Sequence, residues 1–371
     1  MEIIKLYKKA LESFFYLFKF SIVKTPFLNN KTVLIDLRNP PNLRRLKEFF
    51  ILFSLSGYTI YYRVRFNHFV FILRLARAIR DFKNIKFIWY NLFNNIFYIF
   101  YISDLEPNSQ KKNIKASKEI YIRYDYSPKL ELKNSHFAMP LTMHHSIYLY
   151  FYKEDEILKY RQTERKIKIL FAGNVDKMYH NDVLHKLIKK NSRFEIVEYI
   201  KSKNLAEIIY SEEKFNSLLQ GKYYNSFILL DNKIRINQSK WLKTISYADF
   251  FLCLPGVIFP WAHHVVEAMA VGSIPILNYP EWLIPKLENK INCLVFNSLK
   301  ELEDKIKEAF EMSKEEIAIL RNNVIKYYET NLCLKKFLNR LELSSEKFIY
   351  LHTLSCESLT SFIKFLRKLD I

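Results

Sequence analysis

The sequence predicts an α/β fold of two Rossmann-like halves in tandem, because short apolar runs bounded by turn residues alternate with amphipathic helical segments along most of the chain. A length of 371 residues, half of them apolar, is enough for more than one core. The densest signal is Pro255 to Ile276, PGVIFPWAHHVVEAMAVGSIPI, which holds two of the chain's five glycines. There an apolar strand, Phe250 to Leu254, runs into Pro255-Gly256. A helix from about Trp261 ends at Gly272, and a second strand covers Ile274 to Leu277. This is a βαβ unit whose first loop lies at the carboxyl end of a strand, where open α/β sheets bind ligands.

The other elements follow the same pattern. Met1 to Lys24 reads as an amphipathic helix: it has no small-residue cleavage site, and Glu12 and Lys19 interrupt its apolar run, so no secretory signal is expected. Thr32 to Leu37 is a buried strand, Leu43 to Ser56 a helix, and Tyr58 to Val64 a strand reached through Gly57. A helix Phe69 to Phe82 leads to strands at Ile85 to Tyr90, Phe97 to Ile102 and Glu119 to Ile122. The uncharged run Phe87 to Ser103 contains Asn91, Asn94 and Asn95 and is shorter than the ~20 apolar residues of a spanning helix, so no transmembrane segment is expected. Between Ser127 and Arg165 the rhythm breaks at Pro128, Pro140 and a charged run, which places the domain boundary near residue 150.

A second alternating block begins with the strand Lys166 to Ala172, which ends at Gly173-Asn174. Helix Asp182 to Lys190, strand Phe194 to Tyr199, helix Ser211 to Gln220, strand Ser226 to Leu230 and helix Gln238 to Ile245 lead into the Pro255 unit. A short strand at Cys293 to Phe296 precedes helices from Ser298 to about Leu341, and the tail Ser345 to Ile371 reads as one more amphipathic helix with the basic end FIKFLRKL. The expected domains are therefore 1–150, 151–341 and a helical tail 342–371.

Fifty-eight basic against 38 acidic residues give a net charge of +20, which suits nucleic acid, an anionic bilayer or a phosphate-bearing substrate. The same Lys-, Ile- and Asn-rich composition is also what AT-rich codon usage produces. The four cysteines are far apart with no CxxC pair, so neither a zinc site nor a disulfide framework is indicated, and a reducing cytoplasm fits.

Gly173, directly after a strand, lets the backbone turn tightly and leaves amide groups to face a phosphate at the next helix start. The competing reading is a turn glycine with no ligand. Gly256 after Pro255 strengthens the first reading, since both turns can border one crevice. Glu267 sits in a helix dominated by Val265, Val266, Ala268, Met269 and Val271, so it is expected to be buried and in need of partners. Sugar hydroxyls can supply those partners, and His263 and His264 lie on the same helical face. The alternative is a structural Glu paired with a histidine of its own helix. Gly272 supplies a left-handed C-cap, and Pro275 suggests a strand end or bulge.

The run SKWLKTISYADFFLCLPG followed by HHVVEAMAVGSIPIL resembles the nucleotide-sugar-binding domain of GT-B glycosyltransferases, in particular the exostosin-like group of bacterial polysaccharide and lipopolysaccharide assembly. The resemblance spans roughly Lys166 to Leu341. It implies two Rossmann-like domains facing a cleft, with C-terminal helices. It also implies a nucleotide-sugar donor, a glycan or lipid-linked acceptor, no resident cofactor and no required metal, in keeping with the lack of an Asp-x-Asp motif. Glu267 would bind the ribose, and Gly173 and Asn174, with Pro255 and Gly256, would border the diphosphate beside His263. His264 stands where these enzymes usually carry Arg, three residues before the Glu. Either it is protonated or Arg235, Lys240 or Lys243 supplies the charge. Position 260 is Pro, so the acid that many GT-B enzymes place seven residues before the Glu is absent. An inverting transfer needs a general base, for which Asp36, His144 and His145 are the candidates.

The basic, aromatic terminal helices suit peripheral contact with the anionic inner face of the cytoplasmic membrane, or packing on their own domains. Two other functions stay open. One is a nucleic-acid-binding protein, against which stand the dispersed charges and the lack of any recognised nucleic-acid motif. The other is a GT-B relative that binds nucleotide without transferring sugar.

Overall fold

The computed structural model describes residues 31–38, 43–65, 82, 84–88, 97–105, 114–176, 188–257, 259–260 and 262–354. They form two compact units, the first drawn from 31–139 and 334–354 and the second from 140–333. The first unit runs β1 (Thr32–Asp36), α1 (Leu43–Ser54), β2 (Thr59–Arg63), β3 (Ile85–Ile88), β4 (Phe97–Ser103), β5 (Lys115–Arg123) and β6 (His136–Ala138). The second contains α2 (Glu154–Arg161), β7 (Ile167–Phe171), α3 (Arg193–Ser202), β8 (Glu207–Ile209), α4 (Glu212–Gln220), β9 (Tyr224–Leu230), α5 (Gln238–Ile245), β10 (Ala248–Leu252), α6 (His263–Ala270), β11 (Ile274–Leu277), β12 (Leu294–Val295), α7 (Leu299–Glu311) and α8 (Lys314–Tyr327). The chain then returns to the first unit as α9 (Leu334–Leu343) and β13 (Phe348–His352).

Each unit holds one sheet, and every strand pairing among the described residues is parallel. The first sheet has the order β3-β2-β1-β4-β5-β13-β6, the second β12-β11-β10-β7-β9-β8. In the first, the chain winds outward from β1 to β3 and crosses back to β4. In the second it visits β8 and β9 before crossing to β10. The order therefore reverses between β1 and β4 and between β7 and β10, the switch points at which doubly wound sheets open a crevice. β1, β7 and β10 are buried along their whole length, as parallel strands covered on both faces must be. The predicted α/β class of two Rossmann-like units is the class the structure has.

The βαβ unit that stood out in the sequence is present. α6 buries Val265, Val266, Ala268 and Met269, each larger apolar side chain contributing about 1.5–3 kcal/mol. It ends in a Schellman motif: Gly272 at φ 75° donates to Met269 O, and Ser273 donates to Ala268 O at 2.9 Å. A Cβ at Gly272 would also meet Ile325 Cδ1 at 3.1 Å and Arg321 Cγ at 3.2 Å. A side chain at this turn would be strained. Pro275, expected at a strand end or bulge, instead lies inside β11 in register with Phe251. The pairing with β12 begins only at Ile276, so at Pro275 that side of the strand has no ladder to interrupt.

Two elements differ from expectation. Phe194 to Tyr199, expected as a strand, lies in α3. Ser192 accepts from the Glu195 amide while the Glu195 side chain accepts from the Ser192 amide, and this capping box starts a helix whose buried residues Ile196, Val197 and Ile200 have helical spacing. The tail, expected as a helix from Ser345, contains β13, whose FIYLH run is bonded on both sides, to β5 and to β6. The boundary also differs from residue 150: residues from Pro140 onward belong to the second unit, because the 140–146 segment bonds to α6. The helix expected at Met1 to Lys24, all of Phe69 to Phe82 but its last residue, most of Asp182 to Lys190, and the FIKFLRKL end lie outside the described residues. Among the described residues no helix is long and apolar enough to cross a membrane.

Candidate functional site

The switch point of the second sheet brings together the two glycine turns picked out in the sequence. Gly173-Asn174 follows β7 and Pro255-Gly256 follows β10, and these strands are neighbours. A residue not anticipated from the sequence ties the turns together. Arg193, 3% exposed at the start of α3, donates from Nε to Pro255 O (3.0 Å), from Nη1 to Asn174 O (3.0 Å) and from Nη2 to Leu254 O (3.3 Å). One planar fork thus bonds both strand ends, which a lysine cannot reproduce. The Ser192–Glu195 capping box is the local sequence signal that could have fixed its position.

Glu267 is 1% exposed, as expected, and two of its partners come from outside its helix. Oε1 accepts from the His144 amide at 2.9 Å and Oε2 from Trp241 Nε1 at 2.7 Å. A ribose hydroxyl reaching this carboxylate has to share an oxygen with one of these donors. Trp241, on α5 between Lys240 and Lys243, was also not anticipated. The 140–146 segment is held a second time by His263, whose Nδ1 lies 2.6 Å from Thr142 O. Since a carbonyl only accepts, His263 carries its proton on Nδ1. The His144 ring sits 5.5 Å from His263 and 4.2 Å from His145, centroid to centroid. Its Nδ1 is 2.6 Å from Ser146 Oγ, which in turn donates to Gln238 Oε1.

His264 packs among Trp241, Phe251 and Gly173. Its Nδ1 is buried with no hydrogen-bond partner among the described residues. Burial, then the charges of Arg193 and His144, push its pKa from 6.5 down to about 3. The ring is therefore held in its neutral form at neutral pH. Arg235, Lys240 and Lys243, offered as replacements for the missing guanidinium, are exposed. The buried positive charge next to His264 is Arg193.

The amides of the turns are partly engaged. Gly256 donates to Pro260 O at 2.8 Å, Val175 to Asn232 Oδ1 and Asp176 to Asn174 Oδ1, both at 3.0 Å. The Gly256 amide is therefore not presented to a phosphate as expected. α6 starts at Ala262, whose side chain caps nothing, so the positive end of the helix dipole carries no side-chain acceptor of its own.

Asp36 belongs to the first unit, at the carboxyl end of β1 and thus at that sheet's switch point. It is fully buried and accepts from Arg63 (2.8 Å), from Arg65 (2.6 Å to Oδ1) and from Tyr101 (3.2 Å). With its oxygens accepting from two guanidiniums and a phenol, it is an ion-pair hub. The structure groups His144, His145, Gly173, Asn174, Pro255, Gly256, His263, His264 and Glu267 in one unit, and Asp36 in the other.

No protein-family model matches the chain, and no curated protein sequence shows significant similarity to it. Solved structures with which it aligns include Anabaena HepE in complex with UDP, at 12% identity over 85% of this chain and 100% of that one, TM-score 0.37. A glycosyltransferase from Rickettsia africae aligns at 12% identity over 86% and 100%, TM-score 0.43. MurG of Acinetobacter baumannii aligns at 10% identity over 91% and 99%, TM-score 0.34. Overlaps this loose assign neither fold nor activity.

Proposed function

We propose that the protein is a glycosyltransferase that moves a sugar from a nucleotide-sugar donor to a glycan or lipid-linked glycan acceptor in cell-surface polysaccharide assembly. The observation that supports this most is the switch point between β7 and β10, where two glycine turns are tied by a buried guanidinium beside an uncapped helix start. Such a crevice seats a nucleoside diphosphate, and transfer breaks the bond between the anomeric carbon and a diphosphate oxygen. The negative charge that departs with the diphosphate is stabilised by the α6 dipole and the field of Arg193. In this reading the protein handles that charge without a divalent ion, and EDTA leaves activity intact. Glu267 keeps Trp241 and the His144 segment in place and shares an oxygen with the donor's ribose. The acceptor is presented at the cytoplasmic leaflet, to which a net charge of +20 is attracted.

The test is a panel of nucleotides and nucleotide sugars followed by thermal shift and donor hydrolysis. At least one donor should raise the melting temperature and be hydrolysed, with the response lost in Glu267→Ala. A panel in which nothing stabilises the wild type sinks the proposal. The neutral His264 in place of an arginine favours a second reading, a protein that binds nucleotide without transfer. Binding with no turnover on any acceptor would select it.

A further inference from the structure

In the first unit, β6 is a three-residue edge strand whose one neighbour in the sheet is β13. The chain leaves the first unit from this strand, since Pro140 already belongs to the second. Besides the backbone ladder, a pair of histidines ties the two strands together. In the parallel register His136 lies beside Tyr350 and Ala138 beside His352, so these side chains share one face of the sheet. His352 Nε2 lies 2.8 Å from His136 Nδ1, and its Nδ1 lies 2.6 Å from Oδ1 of Asp125, which follows β5. The two imidazoles are 23° from coplanar with centroids 5.1 Å apart, which suits an in-plane N–H···N bond rather than a face-to-face stack. The His136 ring also rests on Tyr350 at 4.9 Å, over which the Arg123 guanidinium lies at 5.2 Å. His352 is buried, whereas His136 is partly exposed.

The proton positions follow from the chemistry of the partners. An ionised carboxylate only accepts, so the proton of neutral His352 is on Nδ1, and its Nε2 accepts from His136 Nδ1. One added proton leaves this arrangement intact. His352 then carries the charge against Asp125, keeps a hydrogen on each nitrogen, and donates from Nε2 to His136 Nδ1. A second proton has only His136 Nδ1 to go to, inside the 2.8 Å contact. Two N–H groups would then face each other with no acceptor between them, and Asp125 balances only one of the two charges.

We propose that His136 and His352 form a pH-operated latch, which holds the edge strand β6 on β13 while the pair carries one added proton or none and releases it when the second arrives. The latch lies wholly within the first unit and does not depend on the glycosyltransferase reading. Burial first, then the charges of His352, Lys133 and Arg123, lower the His136 pKa, and Asp125 opposes them. Burial alone would raise the Asp125 carboxyl, but the hydrogen bond and charge of His352 outweigh it and hold the group below its usual range. Asp125 therefore stays ionised while the histidines titrate. Because His136 is lowered in the folded chain, its share of stability is complete above the ordinary histidine range and is lost as pH falls. What remains in acid is the backbone ladder of a three-residue strand, including Met139 N to His352 O and Tyr350 N to Ser135 O, both 2.8 Å.

The test is amide hydrogen exchange on the full chain at about pH 7.5 and about pH 5, corrected for the intrinsic pH dependence of exchange. Protection of the Tyr350 and Met139 amides should fall about tenfold or more in acid, while that of the β1–β2 pairing changes by less than about twofold. His136→Gln, which cannot take up the second proton, should keep its protection at the lower pH. Asp125→Asn retains both histidines but loses the countercharge, so its opening should move to higher pH. Imidazole nitrogen NMR of the wild type should show the two rings titrating in two coupled steps. Unchanged protection of β6 and β13 in acid, an equal loss in His136→Gln, opening of Asp125→Asn at the wild-type pH, or two independent titrations would each overturn the latch.

Discussion

His264 occupies the space that a side chain on Gly173 would need: a Cβ there would lie 2.8 Å from His264 Cε1 and 3.6 Å from its Nδ1. The end of β7 approaches α6 this closely because position 173 has no side chain. Gly173→Ala should therefore cost about 1–3 kcal/mol in urea denaturation. Adding His264→Ala should cost less than the two single changes summed, because the second removes the obstacle to the first. Strict additivity would mean that the two residues do not share this space in solution.

The Glu267 carboxylate accepts from two donors that cannot turn around, the His144 amide and the Trp241 indole. Trp241→Phe should cost about 1–3 kcal/mol by removing one of them. Glu267→Gln should cost more, because its amide group must point its own hydrogens at one of these donors. Chemical denaturation of both variants checks the order, and a milder Gln variant would contradict the geometry.

Arg193→Lys keeps the charge but loses the fork that spans Leu254, Pro255 and Asn174. The expected loss is about 2–4 kcal/mol, from hydrogen bonds to a charged group that one ammonium cannot remake. Donor-induced thermal shift should shrink as well, since both crevice turns lose their tie. An unchanged shift would show that the turns hold their shape without it.

The pH dependence has a definite sign. Burial first, then Arg193 and His144, lower His264 to about 3 from 6.5. Between those values the unfolded chain binds the additional proton, so the stability linked to this ring is complete above about 6.5 and is lost as pH falls toward 3. His136 is also lowered and acts in the same direction. Lowering the pH from about 7 to about 5 should therefore reduce the melting temperature more in the wild type than in His264→Gln. Equal drops would show that the His264 ring is freely protonated in the folded protein.

What the sequence revealed was chiefly local. The α6 helix, its glycine cap and the flanking strands could be read because Val265, Val266, Met269 and Gly272 report on their own neighbourhood. Phe194 to Tyr199 misled because Phe, Ile, Val and Tyr in short order read as a strand, while the helix is started by Ser192 and Glu195 just upstream. Phe348 to His352 reads as helical in sequence because its place between β5 and β6 is decided by residues more than two hundred positions away. The importance of Glu267 was visible but its partners were not, since Trp241 and His144 reach it only in the fold. Arg193 escaped because it bonds backbone carbonyls, which leave no trace in side-chain pattern.

The position of β13 has a consequence for how the chain is made. Until Phe348 to His352 is synthesised, β5 has an open parallel edge and β6 has no strand to join. The amino-terminal unit therefore cannot complete its sheet while the second unit is emerging, and its last strand must arrive after the rest of both sheets has been translated. A chain cut before Phe348 would carry an unpaired β5 edge, ready to pair with another copy of itself.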